Sequence, residues 1–133
     1  MRPALSLTAL VGVALIAFPA SASAAHHNTT VVIDGFSDHY FEPAKAPDAE
    51  DVFGRLESGT HKCVASRRVK VFRVDAGPDT NLGSDTSDSN GGWSLMIPND
   101  EFDIGDYYAK TPKVRLRGGD TCNKDRSANL GYP

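Results

Sequence analysis

The sequence predicts an all-β protein, an antiparallel Greek-key β-sandwich of about seven short strands closed by one disulfide bond. Three observations support this prediction. Apolar residues recur mostly at every second position, and no long window shows the 3.6-residue period of an amphipathic helix. Clusters of Gly, Pro, Asn and Asp interrupt the chain at short intervals, as turns between strands do. The chain also has only two cysteines, and they follow an export signal.

The first 24 residues have the features of a secretory signal peptide. Arg2 supplies a positive start, residues 4–19 form an apolar run, and Ala22-Ser23-Ala24 is a small-x-small cleavage site. The alternative is a membrane anchor, but a bilayer span needs about 20 apolar residues and this run is shorter. We therefore expect cleavage after Ala24 and a secreted, extracellular protein without a membrane span.

The mature chain has the size of one domain. Cleavage after Ala24 would leave 133 − 24 = 109 residues. We divide them into an N-terminal segment, 25–51, and a sandwich body, 52–133. The segment contains a first strand at about 29–33, which joins the sandwich, and an acidic, Pro-containing loop.

The first three predicted strands differ in how clearly they are patterned. Residues 29–33 are a short β-branched run, Thr-Thr-Val-Val-Ile, followed by Asp34-Gly35. Residues 52–58 alternate between apolar and polar side chains. Residues 68–74, Arg-Val-Lys-Val-Phe-Arg-Val, are the strongest strand, with Val69 and Val71 on one face.

The later strands are separated by stronger turn signals. Residues 81–86 form a short polar strand, and Asn90-Gly91 predicts a hairpin turn because it supplies positive φ angles. Residues 93–97 and 107–111 alternate, and Pro112 ends or bulges the second of these strands. Val114 and Leu116 indicate its continuation or a further short strand, and any final strand must be short.

Cys63 and Cys122 are predicted to form a disulfide, because export favours oxidation. The two cysteines are 122 − 63 = 59 positions apart. Closing a loop of this length stabilises the fold by about 4 kcal/mol in the chain-entropy model. The alternative is a thiol nucleophile paired with His61, because residues two apart in a strand share a face.

The block from Thr86 to Pro98, with Asn90-Gly91 and Trp93, followed by Gly105-Asp106-Tyr107, resembles carboxypeptidase regulatory-like domains. These domains have a transthyretin-like (prealbumin-like) sandwich, and the resemblance covers about residues 52–122. It implies a bacterial exported variant that acts as an accessory, structural or binding module. Gly92 and the weakly patterned C-terminal strand depart from the family pattern.

The charge balance argues against nucleic acid as a partner. Without Arg2, 13 basic side chains face 17 acidic ones, so the mature chain has a net charge of −4. The basic residues nevertheless cluster. We interpret them as outward strand positions that block edge pairing, with an anion-binding patch as the alternative. The two clusters are Lys62, Arg67, Arg68, Lys70 and Arg73, and then Lys113, Arg115 and Arg117.

The mature N-terminus would begin Ala25-His26-His27 and suggests a metal site. The amine of Ala25, the amides of His26 and His27 and the His27 ring would form a square-planar set that suits Cu(II) or Ni(II). The alternative is a solvated tail. A second candidate surface consists of Phe36, Tyr40 and Phe41, which would either contact a protein or glycan or cap the sandwich core.

No catalytic pattern emerges from the sequence. A Gly-x-Ser-x-Gly motif, a His-Glu-x-x-His motif and a Gly-rich phosphate loop are all missing. Glu101 and Asp103 are close in sequence but lie in a predicted loop, and His39 and His61 have no evident partner. We therefore predict a monomeric, non-enzymatic module with a structural or binding role and no cofactor. The alternatives are the secreted Cu(II)- or Ni(II)-binding protein and an unrecognised extracellular hydrolase.

Overall fold

The computed structural model describes residues 22–39 and 49–133, except for the side chain of His39. Within these ranges the chain is almost entirely β, and its only helical element is one 3₁₀ turn, His61–Cys63. The predicted all-β class is therefore confirmed. The core of the predicted signal peptide, Tyr40 and Phe41 lie outside the described residues. No helix in the described ranges is long and apolar enough to cross a bilayer.

Six strands of six or more residues carry the architecture, and five very short strands complete it. The long strands are β2 (Thr30–His39), β3 (Ala49–Glu57), β4 (Arg68–Arg73), β5 (Thr80–Thr86), β6 (Gly92–Pro98) and β7 (Gly105–Thr111). The short ones are β1 (His26–His27), β8 (Val114–Arg115), β9 (Thr121–Cys122), β10 (Asp125–Arg126) and β11 (Leu130–Tyr132). We expected about seven strands. The additional ones are two- or three-residue pairings in the chain termini, too short to leave a pattern in the sequence.

The strands form three sheets. The small sheet has the order β2-β3-β6, and the large sheet has the order β10-β7-β4-β5, with β11 also paired to β7. The terminal sheet has the order β1-β9-β8. All pairings are antiparallel except the one between β1 and β9.

The connections between the small and large sheets make a Greek key. Strands β4 and β5 pair with each other, β6 crosses to pair with β3, and β7 returns to lie beside β4. The Greek-key sandwich predicted from the sequence is thus confirmed.

The loop at Asn90-Gly91 does not close a hairpin, which corrects the prediction. It joins β5 of the large sheet to β6 of the small sheet. Gly91 has a φ of 91°, whereas Asn90 keeps a negative φ. The Asp88 carboxylate accepts the amides of Asn90 and Gly92 at 2.7 and 2.9 Å, so one side chain organises the crossing between sheets.

The core lies between the inner faces of the two larger sheets. Val52, Trp93 and Ile97 from the small sheet pack with Val69, Val71, Tyr107 and other buried residues of the large sheet. At Gly54 there is no room for a side chain. A Cβ there would collide with the Val32 carbonyl oxygen and would lie 2.6 Å from Trp93 Cζ2.

The first two strands extend beyond their predicted bounds. The second, predicted at 52–58, is β3 and already begins at Ala49, inside the predicted acidic loop. The first strand continues beyond Ile33 to His39, because a bulge at Asp34 shifts the register and lets the strand run on past Gly35.

Cys63 lies in the 3₁₀ turn and is disulfide-bonded to Cys122 with a Cα–Cα distance of 5.4 Å. The predicted disulfide is confirmed. The His61–Cys63 dyad is wrong, because the sulfur is consumed and the two residues do not share a strand face.

Candidate anion-binding face

Three cations lie directly opposite one another across the outer face of the large sheet. Antiparallel register pairs Lys70 of β4 with Lys110 of β7, and Lys110 with Arg126 of β10. Cross-strand partners share a face, and neighbouring strands are about 4.8 Å apart. We call Lys70, Lys110 and Arg126 the basic row. Like charges placed directly opposite each other destabilise a sheet, so the basic row lowers the stability of the folded protein.

The basic row lies in an open groove of about 750 Å³. Arg68 and Lys124 extend the positive charge along the groove, and Phe72, Thr111 and Pro112 supply its uncharged lining. Asp125 is the one carboxylate in the lining. Five cations and one anion therefore face a space large enough for an oligomeric ligand.

Two aromatic rings hold the cations in place. Phe72 and Tyr108 are cross-strand partners whose rings stack with their centroids 5.2 Å apart. The Arg126 guanidinium lies 3.7 Å from the Tyr108 centroid, and Lys110 Nζ is 5.0 Å from the Phe72 centroid. The attraction between a cation and a ring face restrains both side chains without neutralising their charge. Tyr108 is only 2% exposed because these neighbours cover it.

The five groove cations form no ion pair with a carboxylate of the described residues. The nearby acids are engaged elsewhere. Asp125 accepts the Val31 amide at 2.8 Å, and Asp79 accepts the Tyr108 hydroxyl at 2.7 Å. Arg126 donates to the Asn129 side chain at 2.9 Å, which is a neutral partner. The positive charge of the groove is therefore available to an anion from solution.

A sixth positive charge is buried next to the groove. Arg67 is 3% exposed and donates to the Cys63 carbonyl at 3.2 Å, to Thr111 Oγ1 at 3.2 Å and to the Pro112 carbonyl at 2.5 Å. Burial lowers the pKa of Arg67 because it disfavours the charged form. Thr111 and Pro112 also line the groove, so the Arg67 charge adds to the positive field at that end.

The groove contains only part of the basic residues that the sequence singled out. Of the first cluster, Arg68 and Lys70 line it. Arg67, expected to point outward, is buried because it precedes β4 and turns inward onto the Thr111–Pro112 backbone. Lys110, Lys124 and Arg126 were not grouped with Lys70, since only strand register brings them together. The sequence signal that could have placed Lys110 on the outer face is the alternation along β7, which puts Tyr108 and Lys110 on the same side of the strand.

The N-terminal residues proposed to bind metal are part of the terminal sheet. The carbonyls of Ala25 and His27 accept the amides of Thr121 and Asn123 at 2.8 and 2.9 Å. Asp120 accepts the Ala25 amide at 3.0 Å, and its other oxygen is 3.4 Å from His27 Nε2. Both contacts lower the pKa of Asp120.

A square-planar site at the N-terminus would need β1 to leave β9, so that the amide nitrogens of His26 and His27 and the His27 ring could turn into one plane. The described residues contain no cluster of three or more metal-ligating side chains. The predicted site would instead use mainly backbone nitrogens, and it stays a prediction.

Phe36, the described member of the predicted aromatic surface, packs inside an aromatic cluster. Its ring makes edge contacts with Phe102, Tyr107 and Tyr132 at centroid distances of 5.8, 5.4 and 5.2 Å. This placement agrees with the interpretation of Phe36 as a cap on one end of the core.

Glu50 is a buried carboxyl group that sequence reasoning overlooked. It is 3% exposed, and Tyr132 donates a hydrogen bond to Oε1 at 3.2 Å. Burial raises the pKa of Glu50, and the neighbouring Asp38 raises it further. Glu50 belongs to β3 of the small sheet and is not part of the groove lining.

Comparisons with family models, with curated proteins and with solved structures found no match to this chain. The resemblance to carboxypeptidase regulatory-like domains therefore stays a prediction from the residues.

Proposed function

We propose that this protein is a secreted, non-enzymatic binding module that holds an anionic extracellular partner on the outer face of its large sheet. The observation that supports this most directly is the basic row, three cations in cross-strand register. An anion lying across Lys70, Lys110 and Arg126 would offset the repulsion between them. The resemblance to a family of accessory and binding modules supports the same class of function.

The chemistry of the groove supports binding in preference to catalysis. Its charged groups are Lys and Arg side chains and one carboxylate that is hydrogen-bonded to a backbone amide. The lining contains no His, Cys or Ser that could act as a base or nucleophile. Several positive charges on one sheet face attract an anion, and this arrangement favours binding over catalysis.

A matched pair of variants tests this proposal. Lys70→Gln/Lys110→Gln/Arg126→Gln removes the basic row, and Lys113→Gln/Arg115→Gln/Arg117→Gln removes three exposed cations that do not line the groove. Both changes alter the net charge equally. We expect the first variant to bind immobilised sulfated polysaccharide at least about tenfold more weakly, a loss of about 1.4 kcal/mol, and the second to change binding less than about twofold.

Circular dichroism and thermal unfolding would show that both variants remain folded. Equal loss of binding in the two variants would show that net charge alone drives retention, and would contradict the proposal. Absence of binding by the unaltered protein at low salt would contradict it as well.

A further inference from the structure

We propose that the loop between β8 and β9 is a receptor for the mature N-terminus: a signal peptidase hydrolyses the Ala24–Ala25 bond, and the Asp120 carboxylate binds the α-ammonium group that this creates on Ala25. The inference assigns a processing site together with a binding partner for its product. It is independent of the groove, because Asp120 does not line it. The new charge fastens β1 to β9, beside the disulfide.

The predicted cleavage site coincides with the point where the chain joins the fold. Residues 22–24 are exposed and form no hydrogen bond with the other described residues. The first nitrogen that forms one is that of Ala25, which donates to Asp120 Oδ1 at 3.0 Å. The Ala25 carbonyl then accepts the Thr121 amide at 2.8 Å, and β1 follows. The small-x-small motif and the hydrogen bonds of the fold therefore indicate the same boundary by independent means.

The backbone of the loop holds Asp120 in position. The Asp120 carbonyl accepts the Leu116 amide at 2.7 Å, and the Leu116 carbonyl accepts the Gly119 amide at 3.1 Å. Gly118 and Gly119 have φ angles of 103° and 100°, which glycine adopts without steric cost. Strand β9 follows directly, and its Cys122 belongs to the disulfide. The Asp120 carboxylate therefore extends from a loop that is anchored both by its own turn and by the next strand.

Asp120 has no permanent cation as a partner in the unprocessed chain. Its Oδ2 atom is 3.4 Å from His27 Nε2, and a histidine ring is charged only when it is protonated. No Lys or Arg of the described residues forms an ion pair with Asp120. A carboxylate that lies 3.0 Å from the Ala25 nitrogen is thus ready to receive a positive charge at that atom.

Hydrolysis supplies this charge. The carbonyl carbon of Ala24 takes the hydroxyl of water, and the nitrogen of Ala25 takes the hydrogen as the amide bond breaks. At neutral pH the new carboxyl group then loses a proton and the new amine gains one, because α-amino groups have a pKa of about 7.7–8.0. The hydrogen bond from Ala25 to Asp120 becomes charge-assisted, and such bonds are stronger than those with an uncharged donor.

The intact mass of the protein secreted by a bacterial host locates the processing site. We expect a chain that begins at Ala25. A secreted chain that begins at another residue, or one that keeps residues 1–24, would overturn the proposal.

Acetylation of the Ala25 amine tests the ion pair, because it removes the charge and keeps one N–H donor. We expect the melting temperature at neutral pH to fall by about 2–5 °C. The amides of Thr121 and Asn123, which donate to the Ala25 and His27 carbonyls, should exchange hydrogen at least about threefold faster. Added salt should reduce both effects, because the pair is solvent-accessible.

Two variants show whether Asp120 is the partner. In Asp120→Asn, acetylation should change the melting temperature by less than about 1 °C, because no carboxylate is left to bind the charge. Asp100→Asn removes an equal charge from an exposed position and should keep the full effect of acetylation. Each variant is compared with its own acetylated form, so a general change in stability does not affect the result. Equal effects of acetylation in the unaltered protein and in Asp120→Asn, or no effect in either, would overturn the proposal.

Discussion

The outer faces of the two larger sheets carry opposite charge patterns. On the small sheet, Arg55 pairs with both Asp34 and Glu57, so a cation lies between two carboxylates. On the large sheet, Lys110 lies between Lys70 and Arg126. A face that only has to be solvated satisfies its charges internally. A face whose charges remain unpaired can accept an anion from solution, and this difference supports the proposal that the large sheet carries the binding surface.

The interiors of the two sheets differ as well. The small sheet brings β2, β3 and β6 so close at Gly54 that no side chain fits, because the Val32 carbonyl and Trp93 occupy the space. The groove residues of the large sheet face solvent, where substitution changes charge without changing packing. We therefore expect substitution at Gly54 to change stability and substitution in the groove to change recognition.

The largest effect is expected from Gly54→Ala. The new methyl group would collide with the Val32 carbonyl and with Trp93, so the β2 backbone and the Trp93 side chain would have to move. We expect the free energy of unfolding to fall by about 3 kcal/mol or more, measured by urea denaturation followed through Trp93 fluorescence. Gly77→Ala is the control, since a Cβ there meets nothing within 4 Å. Equal stability of the two variants would show that the small sheet can make room for a side chain at Gly54.

An intermediate effect, opposite in sign on the two faces, is expected from single charge reversals. Lys70→Glu would place a carboxylate opposite Lys110 and should raise the free energy of unfolding by about 0.5–1 kcal/mol. Arg55→Glu would leave Asp34 and Glu57 facing a third carboxylate and should lower it by a similar amount. Thermal unfolding at low salt would measure both.

Added salt should reduce both shifts, because these side chains are solvent-accessible. A lower free energy of unfolding in Lys70→Glu would contradict the expectation that repulsion within the basic row destabilises the folded protein. Loss of polyanion binding by the same variant, together with its gain in stability, would show that Lys70 strengthens binding and weakens stability.

The smallest effect is expected at Glu50, an acid of the small sheet that the core covers. Its raised pKa means that the folded protein holds this proton more tightly than the unfolded chain does. The stabilisation is complete below the unfolded value of about 4.3 and is lost as pH rises through the folded pKa. Glu50→Gln should therefore raise the melting temperature at pH 7 and leave it unchanged near pH 3.5. Exposed Glu101→Gln, the control, should show no such pH-dependent difference.

The pattern of the sequence was sufficient for the fold class and the disulfide. Alternation in residues 68–74, 93–97 and 107–111 identified β4, β6 and β7 to within a residue or two. The crossing at Asn90-Gly91 could not be recognised, because a hairpin and a sheet-to-sheet loop use the same turn residues.

The candidate site was harder to predict than the strands. Lys70, Lys110 and Arg126 are far apart in sequence, and only the register of β4, β7 and β10 aligns them. Charge clustering along the chain instead drew attention to Lys113, Arg115 and Arg117, which do not line the groove. Local sequence reports which residues face outward, whereas their neighbours across a sheet depend on pairings made at long range.

Asp125 has a consequence beyond the groove. Its carboxylate binds the Val31 amide, a backbone group on the outer edge of β2 that would otherwise be open to a strand from another molecule. An open edge is a template for pairing with a strand from another chain, which leads to aggregation. The same hydrogen bond thus occupies the carboxylate of the groove and covers a backbone group on the edge of the small sheet.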